Sequence, residues 1–207
     1  MLQAFPQMTA PGAGFADPVM AAQAVFRAVM MALAEPGTIR TLDAAHLAAI
    51  EAPAPLSKSA AAVLLALADF ESPVWLDGPL ATPGISSYLR FHAGCPIVAA
   101  RADAQFAVIA DGATLDTLDG FALGSLEYPD RSATLIVQVE SLDRGIAWRL
   151  NGPGIDGERE IHLGPVHAGL AAALADNRAL FPRGVDIVFT DGASFIGLPR
   201  STNVMEA

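Results

Sequence analysis

The side chains best placed to do chemistry lie near the carboxyl end, in Phe181 to Thr202, "FPRGVDIVFTDGASFIGLPRST". Two short apolar runs flank Asp191-Gly192, and a Pro-Arg pair closes each outer end. Asp-Gly is a favoured two-residue type I′ hairpin loop. Closed that way, the hairpin pairs Thr190 with Ala193 and sets Arg183 opposite Arg200. Like charges directly opposite one another destabilise a ladder. They persist where carboxylates, a partner chain or a bound anion lie between them. The competing reading leaves both arginines in water at a frayed end, with Pro182 and Pro199 ending the ladder. Surface charge pairs are weak, so both readings stand.

Other chemistries find less support. Gly152, Gly154 and Gly157 in "GPGIDG" satisfy G-x-G-x-x-G, but "EREIHL" follows where a dinucleotide site needs a helix to open. A glycine turn between strands is the better reading. Lys58, in "LSKSA", is the only lysine, so neither a phosphate loop nor a desolvated Schiff-base amine is expected. His46, His92, His162 and His167 form no H-x-x-x-H pair, which leaves no zinc pattern. Cys95, before "PIV", reads as a small buried hydrophobe, and no G-x-S-x-G elbow supports a serine triad. No catalytic residue is assigned, and no cofactor or metal is expected.

Composition restricts what an anion site would look like. The chain has 207 residues, 53% of them hydrophobic, and a net charge of −10. Bulk attraction to nucleic acid or to an anionic membrane is excluded, so any anion must be held by a local group of arginines. Of 12 basic side chains only one is lysine, and arginine is the residue suited to bidentate anion contacts. The longest apolar run, Ala60 to Ala68, is too short to span a bilayer. The amino end lacks a signal peptide's basic region, and the single cysteine forms no internal disulfide. A cytoplasmic protein is expected, with a loosely ordered leader over residues 1–14 and one domain over 15–207.

The elements that must position these groups follow from periodicity and punctuation. Asp17-Pro18 starts a helix whose apolar stripe is Val19, Ala22, Phe26, Val29, Met30 and Leu33, and Glu35-Pro36-Gly37 stops it. A second helix carries Ala60, Val63, Leu64 and Leu67, and a third, opened by Thr82-Pro83, carries Ile85, Tyr88, Leu89 and His92. A fourth carries Val166, Leu170, Ala173 and Leu174. Strands are expected at Thr38 to Leu42, Pro73 to Leu76, Phe106 to Ala110 and Ala133 to Glu140, the last paired with Gly145 to Leu150, and another at Arg159 to Leu163. Thr114 to Pro129 reads as a short helix and a loop. Helices interspersed with strands, some sequentially adjacent, imply an α/β fold with a mixed sheet.

The segments "QAVFRAVMMALAEPGTI", "LLALAD…SPVWL", "LRFHAGCPIV", "ATLIVQVESL", "LNGPGI" and "FPRGVDIVFT…LPRST" occur in one order from Phe15 to Val204. This co-linear set resembles the H subunit family of the bacterial carbon–phosphorus lyase core complex. The resemblance implies a homodimer that assembles with G, I and J subunits, with a nucleoside triphosphate and a phosphonate met at a subunit junction. It implies support for moving a phosphonate onto the anomeric carbon of a purine nucleoside triphosphate, displacing the base. Catalysis is then expected only within the complex. It also implies a three-layer α/β/α fold with a mixed sheet, similar to the large domain of pyridoxal-phosphate transferases but without the cofactor site. Arg27 falls in the first matching segment, Arg90 in the third, and Arg183 and Arg200 in the last. These four are the candidate anion- or partner-binding residues. The alternative is a small stand-alone transferase or hydrolase acting on an anion at the Arg183/Arg200 end.

Overall fold

The computed structural model describes residues 11–207. Most of the expected leader, residues 1–10, lies outside the described residues. Ala13 is tied down, its carbonyl accepting from the backbone of Glu51 and from the Tyr88 hydroxyl.

Helix α1 (Pro18–Ala34) opens as its sequence dictates: the Asp17 carboxylate accepts from the Met20 N–H and proline fills the first turn. Strand β1 (Arg40–Thr41) and helix α2 (Ala44–Leu47) lead to α3 (Lys58–Leu67), capped by the Ser57 hydroxyl. Then come β2 (Val74–Leu76), α4 (Pro83–His92, capped by Thr82), β3 (Ile97–Val98) and β4 (Phe106–Ile109). The chain continues through β5 (Thr134–Gln138), β6 (Ser141–Asn151), β7 (Arg159–Gly164) and α5 (Leu170–Ala179). It closes with β8 (Asp186–Asp191), β9 (Ser194–Leu198) and β10 (Asn203–Glu206).

Seven strands form a mixed sheet in the order β1-β9-β8-β5-β4-β2-β3, parallel from β3 to β8 and antiparallel at β9 and β1. Both faces are covered, which is why the central strands read as apolar runs without polar alternation. Val108, Ile136 and Val188 point into a core shared with α1, α3 and α4. Leu135, Val137, Ile187 and Phe189 point the other way, into a core with Trp148, Leu163 and Leu174. That second cover is not helical throughout, as a three-layer α/β/α fold would have it. It is a three-stranded antiparallel sheet, β10-β6-β7, together with α5.

Further expectations are corrected. The strand at Gly145 to Leu150 does not pair with β5, whose neighbours are β4 and β8. A strand buried on both faces has its edges taken by parallel partners, and the chain leaves the sheet at Val139 and Glu140 to build the second one. The segment Thr114 to Pro129 contains no α-helix. Only a 3-10 turn over Gly112–Thr114 precedes an irregular loop that covers the second core with Leu118 and Phe121.

The hairpin register also differs. Asp191 pairs with Ser194, so the loop is Gly192-Ala193 and Asp191 is the last strand residue. Gly192 takes φ +54° and Ala193 does not enter the left-handed region, which is the type II′ pattern with glycine first. Thr190 therefore faces Phe195, and the ladder ends at Ile187 opposite Leu198. Arg183 and Arg200 are not cross-strand partners.

Helix α1 is turned differently from its expected stripe. Its buried residues are the small ones, Ala21, Val25, Val29 and Ala32. The large ones, Met20, Phe26 and Met30, are at least half exposed, as is Val19 near the helix start. Close packing on the sheet sets this choice. A Cβ on Gly197 of β9 would lie 2.7 Å from the Ala32 backbone, so the helix and strand approach to near contact. Only small side chains fit between them.

Candidate functional site

In parallel α/β sheets, ligands usually sit in the crevice beyond the carboxyl ends of the strands, where the chain switches direction. Here β2 leads toward α4 and β4 toward the opposite cover, so that point lies between β2 and β4. The chain's own groups occupy it. The Asp77 carboxylate accepts from the Gly78 and Ala110 N–H groups. Gln138 accepts from Ser57 N–H at 2.6 Å and donates to the Pro55 and Ala110 carbonyls. Lys58 donates to the Leu47 and Ala48 carbonyls at the end of α2.

Cys95 and three of the four histidines are likewise engaged in local structure. Cys95 is buried, its thiol donates weakly to the Leu89 carbonyl, and burial pushes its pKa up, which disfavours the thiolate. His92 bonds the Gly12 carbonyl at 2.7 Å, His162 pairs with Glu160, and His167 accepts from the Gly169 N–H. Among the described residues no group of three His, Cys, Asp or Glu could hold a metal. The Gly152-Gly154-Gly157 run turns between β6 and β7, with Gly154 pressed against the Ala34 carbonyl, as a glycine turn should be.

The two hairpin arginines have opposite fates. Arg200 is consumed by the fold. Its Nε donates to Asp186 Oδ1 at 3.1 Å, and one terminal nitrogen reaches Asp186 Oδ2 and the Ser132 hydroxyl. The other meets the Pro129 carbonyl at 2.6 Å, and the Arg200 backbone N–H also donates to Asp186. With side chains only 14% and 19% exposed, this forked pair pins the Pro129–Ser132 loop to the hairpin. Arg183 makes no ion pair among the described residues, and its Nε is buried without an acceptor.

Sequence reasoning missed the groups beside Arg183. Gly184 N–H donates to the Leu123 carbonyl, which holds the loop after Leu123 against the start of β8. The Arg131 guanidinium lies 4.2 Å over the Tyr128 ring, and Arg178 lies 5.2 Å over Phe181. Both rings are exposed, as is Leu126. No motif marks this corner, because its parts are brought together by β8 joining β5.

The other unpartnered face is α1. Its outward side chains, Met20, Gln23, Phe26, Arg27, Met30 and Met31, line an open groove of about 540 Å³ that His46 closes at one side. Arg27 is exposed there without a carboxylate partner among the described residues. Arg90 is exposed on α4, away from this groove, and its charge acts on Cys95. The four candidate arginines therefore do not form one site. The available signal for the α1 face was an excess: the helix has more apolar residues than one buried stripe can use.

The family model described as "Bacterial phosphonate metabolism protein (PhnH)" matches residues 13–205. The chain is 41% identical over 194 residues to a protein of Rhizobium meliloti (strain 1021), covering 92% of this chain and 93% of that protein. That relative is named alpha-D-ribose 1-methylphosphonate 5-triphosphate synthase subunit PhnH. A shorter match, 35% over 82 residues, covers 40% of this chain and 42% of a putative C-P lyase subunit protein HtxG of Stutzerimonas stutzeri.

Proposed function

The chain belongs to the PhnH family of bacterial phosphonate metabolism proteins, and from that premise we propose that it is a subunit of the carbon–phosphorus lyase complex. It supports the synthase step, in which a phosphonate oxygen joins the anomeric carbon of a purine nucleoside triphosphate and the base leaves. The observation that carries this reading is the 41% identity, over nearly the whole of both chains, to a subunit named for that synthase.

The chain's contribution is binding and scaffolding. The strand-end crevice is filled by Asp77 and Gln138, and Cys95, His92, His162 and His167 are spent on local bonds, which favours catalysis at a junction with other subunits. We take residues 15–207 to act as one domain with G, I and J subunits, as a homodimer in the cytoplasm. No described helix is long and apolar enough to cross a membrane. The α1 groove is the proposed dimer face: it is apolar and nearly uncharged, so two copies can meet there without charge conflict. Arg27 is its cationic member, Arg90 serves a second docking surface on α4, and Arg183 serves a third. Arg200 acts by holding the third in shape. Kinship with the pyridoxal-phosphate transferase large domain is part of the same proposal and is compatible with the parallel sheet ending in antiparallel β9.

Co-expression with the G, I and J subunits tests this reading. The chain is expected to co-purify in one assembly of fixed stoichiometry; its consistent elution apart from them would end the proposal.

A further inference from the structure

Arg178 and Arg183 flank the turn from α5 into β8, and Arg131 stands in the loop that Gly184 N–H and Arg200 hold against that turn; none of the three has a carboxylate within ion-pair distance among the described residues. Two are stacked on exposed rings, Tyr128 and Phe181. Stacking fixes the plane of a guanidinium while leaving its N–H edge open, so these forks are oriented before any acceptor arrives. The third has a buried Nε with no acceptor. A buried donor left unpaired costs about 1–3 kcal/mol, so this side chain is held at a cost to stability, and only its terminal nitrogens are available to a partner. Glu127, Asp130 and Asp176 lie in the same segments, but all are exposed and none pairs with these arginines.

We propose that this corner docks an acidic segment of another subunit, with partner carboxylates on the arginine forks and a partner apolar side chain against Leu126, Tyr128 and Phe181. The inference rests on the complex-subunit reading and adds to it the partner's chemistry. Charge complementarity selects the partner. Two copies of this chain, each with a net charge of −10, repel one another overall, and the α1 groove proposed for their contact is lined by no carboxylate that could meet the arginine forks. A small anion is also a poor fit. Arg131 lines a cavity of about 250 Å³, but Asp103 and Asp130 line it too, and the cavity between Leu123, Asn177 and Leu180, about 190 Å³, is lined by Asp119 and Asp176 and by none of the three arginines. Ligand cavities are typically larger, roughly 300–1,000 Å³, and carboxylates repel anions. Arg, Tyr and Phe beside an exposed Leu are the composition of a protein interface. The Arg200–Asp186 fork keeps the Pro129–Ser132 end of the loop in place for it.

The test is binding of the purified chain to an assembly of the G, I and J subunits, at low and at moderate salt. Wild type is expected to bind at least ~10-fold more weakly as salt rises, because several charge pairs form. The Arg178→Glu, Arg183→Glu double variant is expected to lose at least ~100-fold, with dimer and thermal unfolding unchanged. Arg131→Glu, on an exposed loop, is the second variant should the double one unfold, and it is expected to lose ~10-fold. A folded variant that binds like wild type overturns the inference while leaving complex membership intact. Absence of any wild-type binding instead removes the membership reading itself. Titration of the free chain with inorganic phosphate and with ATP is expected to give no binding; binding abolished by the double variant would make the corner a small-anion site and overturn the choice of a protein partner.

Discussion

The outward face of α1 and the corner around Arg183 are both left without partners inside the chain, in opposite chemical ways. The α1 face offers methionine and phenylalanine side chains with one arginine at its border. The corner offers arginine forks on aromatic rings. An apolar face releases water against nearly any complementary apolar surface, its own copy included, and salt weakens it little. Oriented cations reject other cations and select carboxylates, and they lose strength in salt. One chain therefore carries two docking chemistries, one suited to self-association and one to a different subunit. They sit on separate parts of the fold: α1 covers the first core, while the corner lies where the loop over the second core meets the hairpin.

The comparison can be broken most forcefully at Arg200, which builds the corner without offering itself to a partner. Arg200→Ala leaves Asp186 charged and largely buried, and removing one member of such a pair costs about 3 kcal/mol. In a chain of this length that lowers the melting temperature by about 10 °C, read by calorimetry or circular dichroism. Asp186→Asn is expected to act in the same direction. An unchanged melting temperature would contradict a structural role for Arg200.

On the α1 side the effect moves from folding to association. Phe26→Asp puts a carboxylate in the apolar groove and is expected to weaken the dimer by about 2 kcal/mol or more, as loss of a central interface anchor does. The unfolding free energy of the monomer should change by no more than about 0.5 kcal/mol, since Phe26 is outside the core. Sedimentation at several concentrations separates the two quantities. A dimer as tight as wild type would remove α1 from the interface.

Arg183 should contrast with Arg200 in the free chain. Arg183→Met deletes the unpaired buried Nε and keeps the aliphatic length, so stability is expected to stay level or rise by up to about 1 kcal/mol. A loss of several kcal/mol would show that Arg183, like Arg200, is spent on the fold.

The smallest effect at neutral pH belongs to Tyr88, which anchors the approach to α1 through the Ala13 carbonyl. Burial, assisted by the Glu51 carboxylate, pushes its pKa up to about 12 from the ordinary 10.0. Because the folded state holds this proton more tightly than the unfolded one, the stabilisation is complete below pH 10 and disappears as pH rises toward 12. Tyr88→Phe should remove that part of the alkaline loss in chemical unfolding, and a curve identical to wild type would exclude it.

Local chemistry in the sequence was a sound guide wherever a few neighbouring residues decide the outcome. Asp17-Pro18 and Thr82-Pro83 start helices as their capping chemistry requires. The glycines of "GPGIDG" form a turn, and the run Thr134–Gln138 is a strand buried at its centre. Distant contacts decided the rest. Gly197 against Ala32 turns α1 so that its small residues face inward, a choice no period within the helix encodes. The hairpin closes with Gly192 first and sets Ile187 opposite Leu198 and Phe189 opposite Ile196 on the second-core face; a loop at Asp191-Gly192 would keep all four on that face, so their apolar pattern does not choose between the turns. Asp-Gly alone supports either turn. Of the candidate binding residues the sequence brought forward Arg183, with Phe181 in the same segment; Tyr128 and Arg131, from a distant loop, came beside them only once β8 joined β5.

The central claim is that this chain serves a synthase through its docking faces and has no turnover of its own. It is tested most directly by incubating a purine nucleoside triphosphate and methylphosphonate with the purified chain alone and with the chain in its subunit assembly, measuring released base. No base from the chain alone and base release from the assembly is the predicted result. Release by the chain alone, retained when Phe26→Asp and the corner substitutions are introduced, would contradict it.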